Sequence, residues 1–176
     1  MRNSNKCIIP ECYIDSCLIE VLLKADKDFV NHHKGNGKVA HEMKNTFGNT
    51  FCVGIIDEDK EALDYLKEFE EKKVTPELKL WKHQEKHHYI IQIRPAVEKW
   101  ILKICGSHNI RLADYRLPDE LREFCKITKS VSSRKDVKFV GLFKEIFRMG
   151  CEPATTLKKW VEYLKLNKEN SNVDLL

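Results

Sequence analysis

The chain has 176 residues, of which 33% are charged and 42% hydrophobic, and a formal net charge of +4. That profile excludes a disordered chain and leaves one domain, or one domain with an extension, large enough to bury its own core. No apolar run approaches the roughly 18 residues of a membrane span, and residues 1–6 lack the apolar stretch of a secretory signal, so a cytoplasmic protein with no membrane partner is expected.

Taken in order, residues 12–14 (Cys-Tyr-Ile) are predicted as a short first strand, with Pro10 tolerated at its entrance. Asp15 and Ser16 follow as N-cap candidates for a helix through Cys17-Leu18-Ile19 and Val21-Leu22-Leu23. A short strand near Phe29-Val30, a glycine-broken loop over 32–38 and a helix over 39–47 come next. Residues 51–56 are apolar without alternation, the pattern of a strand buried on both faces. A charged helix is predicted over 60–72, with Leu63, Leu66 and Phe69 on one face. Residues 78–81 and 89–93 are two further strand candidates, and Pro95 opens a helix through Val97, Trp100, Ile101 and Ile104.

This alternation predicts an α/β fold with a mostly parallel, Rossmann-like sheet flanked by helices. After Gly106 the texture changes to helices near 117–127, 136–148 and 155–166, joined by a polar loop over 128–135 and followed by a frayed tail over 167–176. The expected organisation is an α/β domain over residues 1–106 and a helical C-terminal extension over 107–176. The halves differ in charge: residues 1–98 carry 15 Lys+Arg against 17 Asp+Glu, and residues 99–176 carry 16 against 10. An acidic half joined to a basic half suits a phosphate-backbone binder.

Seven cysteines without a CxxC pair read as reduced thiols, and the histidines are too scattered for a zinc site. The adjacent pairs His32-His33 and His87-His88 read as loop or phosphate-proximal residues. Trp81, Trp100 and Trp160 read as core, Glu20 as a solvated helix residue, and Lys158-Lys159 with Lys165 as a solvated face.

Three acidic stations carry the chemistry. The first is Glu11 and Asp15 around the first strand, the second Asp57 and Asp59 after the central strand, and the third Glu98 at the start of the helix after Pro95. Neighbouring parallel strands place their carboxyl ends side by side, where ligands of open α/β sheets collect. Several carboxylates in one crevice repel one another unless a cation sits among them, which points to Mg²⁺ or Mn²⁺. Lys38, Lys60 and Arg94 are placed to contact phosphates. The 35–38 segment Gly-Asn-Gly-Lys is no P-loop, because it lacks the glycine spacing and a hydroxyl after the lysine.

Over about residues 8–105 the chain resembles the TOPRIM superfamily, and within it small stand-alone TOPRIM-like proteins related to overcoming-lysogenisation-defect nucleases. The likeness rests on Tyr13-Ile14-Asp15, on Gly54-Ile55-Ile56-Asp57-Glu58-Asp59, and on Ala96-Val97-Glu98-Lys99-Trp100-Ile101-Leu102. Two registers compete for the family's first motif, Glu-Gly-x-x-Asp. Glu11-Cys12-Tyr13-Ile14-Asp15 matches both acids but lacks the glycine and puts Pro10 inside the strand; alternatively Asp15 replaces the glutamate after a 12–14 strand. The second is the expectation, because proline is better placed at a strand's start.

The resemblance implies a metal-dependent nuclease cleaving DNA or RNA in bacterial anti-phage defence, often with a separate ATPase subunit, and an oligomer is compatible with it. It assigns metal binding to Asp57, Asp59 and Asp15, general acid/base work to Asp15 or Glu11, and support of a second ion to Glu98. The rival readings are a PIN-type ribonuclease, suggested by Tyr13-Ile14-Asp15-Ser16, and a non-catalytic interaction or regulatory subunit.

Overall fold

The computed structural model describes residues 6–58 and 63–176. Five strands, β1 (Ile8–Pro10), β2 (Cys52–Asp57), β3 (Phe69–Val74), β4 (Leu78–His83) and β5 (His88–Ile93), form one open sheet in the order β1-β2-β5-β4-β3. β2 is parallel to β1, with Ile8 opposite Val53, and parallel to β5, with Ile55 opposite Ile91. β4 is antiparallel to both β5 and β3. The fold is therefore α/β as expected, but the sheet is mixed; the predicted mostly parallel order holds only for β1, β2 and β5. Connection length explains the difference. Only residues 84–87 separate β4 from β5, and a parallel crossover needs a dozen or so.

The apolar run after Phe51 forms β2, buried along nearly its whole length between β1 and β5. β3 is the opposite case, a charged edge strand in which Glu70, Glu71, Lys72 and Val74 are exposed. It replaces the second half of the helix predicted over 60–72. Asp64–Glu68 is a 3₁₀ turn and the chain extends from Phe69. Leu63, Leu66 and Phe69 do pack on the core, because a three-residue repeat aligns i and i+3 as an α-helix nearly does. The charges that suggested a solvated helix instead protect a sheet edge from pairing with another chain.

The first strand also differs from expectation. It is Ile8–Pro10, whereas residues 12–14 are the N-cap and first turn of α1 (Tyr13–Leu23). Pro10 is the last residue of an outer strand, and the ladder continues past it through the Glu11 N–H donated to the Ile55 carbonyl at 2.9 Å. The strand expected near Val30 is a single bridge to Ile8.

Helix α2 (Asn36–Glu42) continues into a π-helical turn, Met43–Phe47, that crosses β2. The close approach needs Gly54, where a Cβ would lie 3.0 Å from Val39 Cγ1 and from Met43 Sδ. α3 (Val97–Ser107) follows β5. The C-terminal part comprises α4 (Leu121–Thr128), α5 (Val137–Met149) and α6 (Glu152–Asn167). Asp136 caps α5 and Gly150 ends it in the left-handed region. α5 packs along α1, and the buried side chains from Cys7 to Val173 form one continuous core.

The tail does not fray as predicted. Tyr163 donates to the Asn172 carbonyl at 2.8 Å, and Ser171 and Val173 are buried. No helix of the described residues is long and apolar enough to cross a membrane.

Candidate active site

The pairing of β1 with β2 brings their carboxyl ends together. Glu11, one residue beyond β1, accepts the Asp57 N–H on its Oε2 at 3.1 Å. Asp57 ends β2, and its Oδ1 accepts the N–H of Val97 at 2.9 Å. That donor is one of the orphan N–H groups opening α3, whose N-cap Ala96 has no side chain to receive it. Glu98, in the same first turn, accepts the Thr128 hydroxyl at 2.6 Å.

Asp15 enters from α1. The N-cap is Cys12, not Asp15 or Ser16 as expected, and Cys12 with Asp15 forms a capping box. Asp15 Oδ2 accepts from the Cys12 backbone N–H at 3.1 Å and from its thiol at 2.9 Å. Asp15 is 1% exposed, and its Oδ1 is buried without a hydrogen-bond partner among the described residues. Beside it the Ser16 hydroxyl meets His32 Nδ1 at 2.9 Å, and the His32 ring stacks on Tyr13 at 4.1 Å.

These carboxylates feel one another. Burial pushes Asp57 up to about 9, and the charges of Asp15, Glu11 and Glu98 push the same way. Asp15 rises to about 7, through burial first and then through Glu11 and Glu98 against its bonds from Cys12. No cation is among the strongest influences on either. Burial and neighbouring like charge both disfavour the ionised form of each.

The structure thus brings together Glu11, Asp15, Asp57 and Glu98 from three separate stretches of sequence. Asp59 and Lys60 lie outside the described residues. Arg94, expected to contact a phosphate, binds Glu58 at 2.9 Å and the Thr75 carbonyl, and Lys79 holds the other Glu58 oxygen. Lys38 is exposed on α2. Glu20 is no solvated residue; Arg134 binds it at 2.9 Å. His88 is not in a loop but buried in β5, where its Nδ1 meets the Tyr65 hydroxyl at 2.6 Å and burial lowers its pKa to about 4.

Sequence reading missed the Cys12 cap and the placement of His32. The first was legible, since Cys12-Tyr13-Ile14-Asp15 has the spacing of a capping box with sulfur in place of the hydroxyl. The second depends on a loop returning to α1 and left no local signal.

Among the described residues no group of three or more His, Cys, Asp or Glu side chains is arranged to hold a metal ion. An all-protein cage therefore does not fit. The oxygen donors, the partnerless buried Asp15 Oδ1 and the uncompensated repulsion do fit a hard cation bound by one or two carboxylates, with water and phosphate completing its shell. No family model matches this chain, and neither does any curated protein or solved structure.

Proposed function

We propose that the crevice of Glu11, Asp15, Asp57 and Glu98 is the active site of a Mg²⁺- or Mn²⁺-dependent nuclease. The observation that carries this reading is two carboxyls, Asp15 and Asp57, pushed up by burial and by the neighbouring acids with no cation among the strongest influences, one of them with a partnerless buried oxygen. The β1 register supports it as well: Glu11 directly follows the strand and Asp15 lies in the first helical turn, the register that matches the TOPRIM Glu-Gly-x-x-Asp at both acids. The same resemblance supports an ATPase partner and a place in anti-phage defence.

Asp57 and Asp15 would hold the ion, which supplies an acidified water and charge to set against a phosphate. The remaining work belongs to the chain. The Val97 N–H fixes one Asp57 oxygen, so the other is presented in one orientation. Glu11, through the Asp57 N–H, holds the two strand ends in register. Asp15, whose carboxyl is raised to about 7 in the metal-free site, would give up its proton as the ion binds, so ion binding should tighten as pH rises.

The test is cleavage of single-stranded DNA, plasmid and tRNA with Mn²⁺, for wild type and Asp57→Asn. Divalent-dependent cleavage lost in the folded variant is the expected result. A specific observation favours a second reading, a non-catalytic interaction module. Asp15, Asp57 and Glu98 each already make a structural hydrogen bond: to the α1 cap, to the α3 opening and to Thr128. That reading predicts no cleavage and no change in melting temperature with Mg²⁺ or Mn²⁺.

A further inference from the structure

Away from the crevice, α1 and the segment after it face α5 and α6 across a groove of about 1120 Å³. Among the described residues its walls carry seven Lys and Arg side chains against two carboxylates, Glu20 and Asp28. Arg134 is neutralised by Glu20, Arg148 by Glu145, and Lys158 lies 3.9 Å from Glu162. Lys6, Lys24, Lys135 and Lys144 are exposed and have no ion-pair partner among the described residues. They come from four places: before β1, after α1, before α5 and within α5. Like charges from four segments around one depression repel, and that arrangement gains most from a chain of anions lying among them.

The remaining lining is apolar. Val21, Val140 and Phe147 are each partly exposed at the walls. A cationic track with apolar and aromatic surface between its charges is what single-stranded nucleic acid uses, phosphates on the cations and bases against the apolar wall. A duplex hides its bases and would leave that surface unused. α1 links the two regions: Asp15 is in its first turn, and Cys17, Glu20 and Val21 of the groove wall follow about 3–9 Å further along the axis, roughly 120–160° around the helix from it.

We infer that this groove binds single-stranded nucleic acid. Its role as the track leading substrate to the crevice rests on the nuclease reading above; binding itself does not.

The experiment is fluorescence anisotropy in EDTA with a labelled mixed-sequence single strand and its duplex. It compares wild type, the triple charge reversal Lys24→Glu/Lys135→Glu/Lys144→Glu, the neutral Lys→Gln triple, and Asp57→Asn. The charge reversal is expected to raise Kd at least about tenfold near 0.1 M salt, and to flatten the log–log salt slope by about 2. The neutral triple falls between, and decides the matter if the reversal lowers the melting temperature. Asp57→Asn binds as wild type does. No binding by wild type, equal binding of duplex and single strand, or unchanged affinity in both triples would overturn the inference. Cleavage with Mn²⁺ is read in parallel. If Asp57→Asn cleaves normally while the triples lose binding, the nuclease site is misplaced and the groove stands.

Discussion

The acidic crevice and the basic groove lie along one helix and are charged in opposite senses. In the crevice, acidic side chains are gathered at the ends of two parallel strands, partly buried, and held by hydrogen bonds from backbone N–H groups, a thiol and a hydroxyl. In the groove, lysines stand exposed on segments far apart in sequence, with few carboxylates among them. Burial makes the difference. A buried charge is costly and shifts its own pKa, so the crevice should respond to pH and to one ion. An exposed charge is screened, so the groove should respond to salt.

The largest expected effect separates them by function. Asp57→Asn should reduce divalent-dependent cleavage by at least about 100-fold in a kinetic assay while leaving strand affinity unchanged, a magnitude in the range of a lost acid/base or ligand group. Equal loss of affinity and turnover would merge the two regions into one surface.

The next effect is on stability against pH. Asp15 and Asp57 have folded pKa values of about 7 and about 9, above the ordinary 3.8. Each therefore favours the folded state fully below about pH 4, and that contribution is lost as pH rises through the folded values. In EDTA the melting temperature should fall between about pH 5 and pH 9. Asp57→Asn should flatten the fall, and at pH 8 it should melt higher than wild type, by ~2–4 °C for each 1 kcal/mol relieved. Raising salt should do little to this slope, in contrast to its effect on the groove.

A smaller effect checks the packing behind the crevice. Gly54→Ala sets a methyl 3.0 Å from Val39 and Met43 on the strand that ends in Asp57. Thermal denaturation should show a loss of about 1 kcal/mol, at the low end for overpacking because the methionine can shift. An unchanged melting temperature would mean that α2 is not seated on β2 as described.

Much of the crevice was legible because its parts are local. The unbroken apolar run after Phe51 announced a doubly buried strand, and the acids at 11, 15, 57 and 98 each follow or open an element. Their order along the chain was enough to bring them together once β1 and β2 paired. The register of β1 was not legible, because a proline suits a strand entrance by rule and an outer strand tolerates it equally at the exit, where Pro10 lies. The antiparallel side of the sheet was written in the short spacing between the last two strands. The charged run over 70–73 hid β3, since an edge strand buries too little to show apolar alternation. The groove left almost no local trace. Lys6, Lys24, Lys135 and Lys144 are ordinary surface lysines until α5 packs along α1 and sets them around one depression.

The central claim is that the crevice takes a divalent cation, and calorimetric titration of the metal-free protein with Mn²⁺ at pH 8 tests it most directly. The account predicts saturable binding that vanishes in the Asp15→Asn/Asp57→Asn double variant while the fold persists. Absence of binding at millimolar Mn²⁺, or equal binding by the double variant, would contradict it.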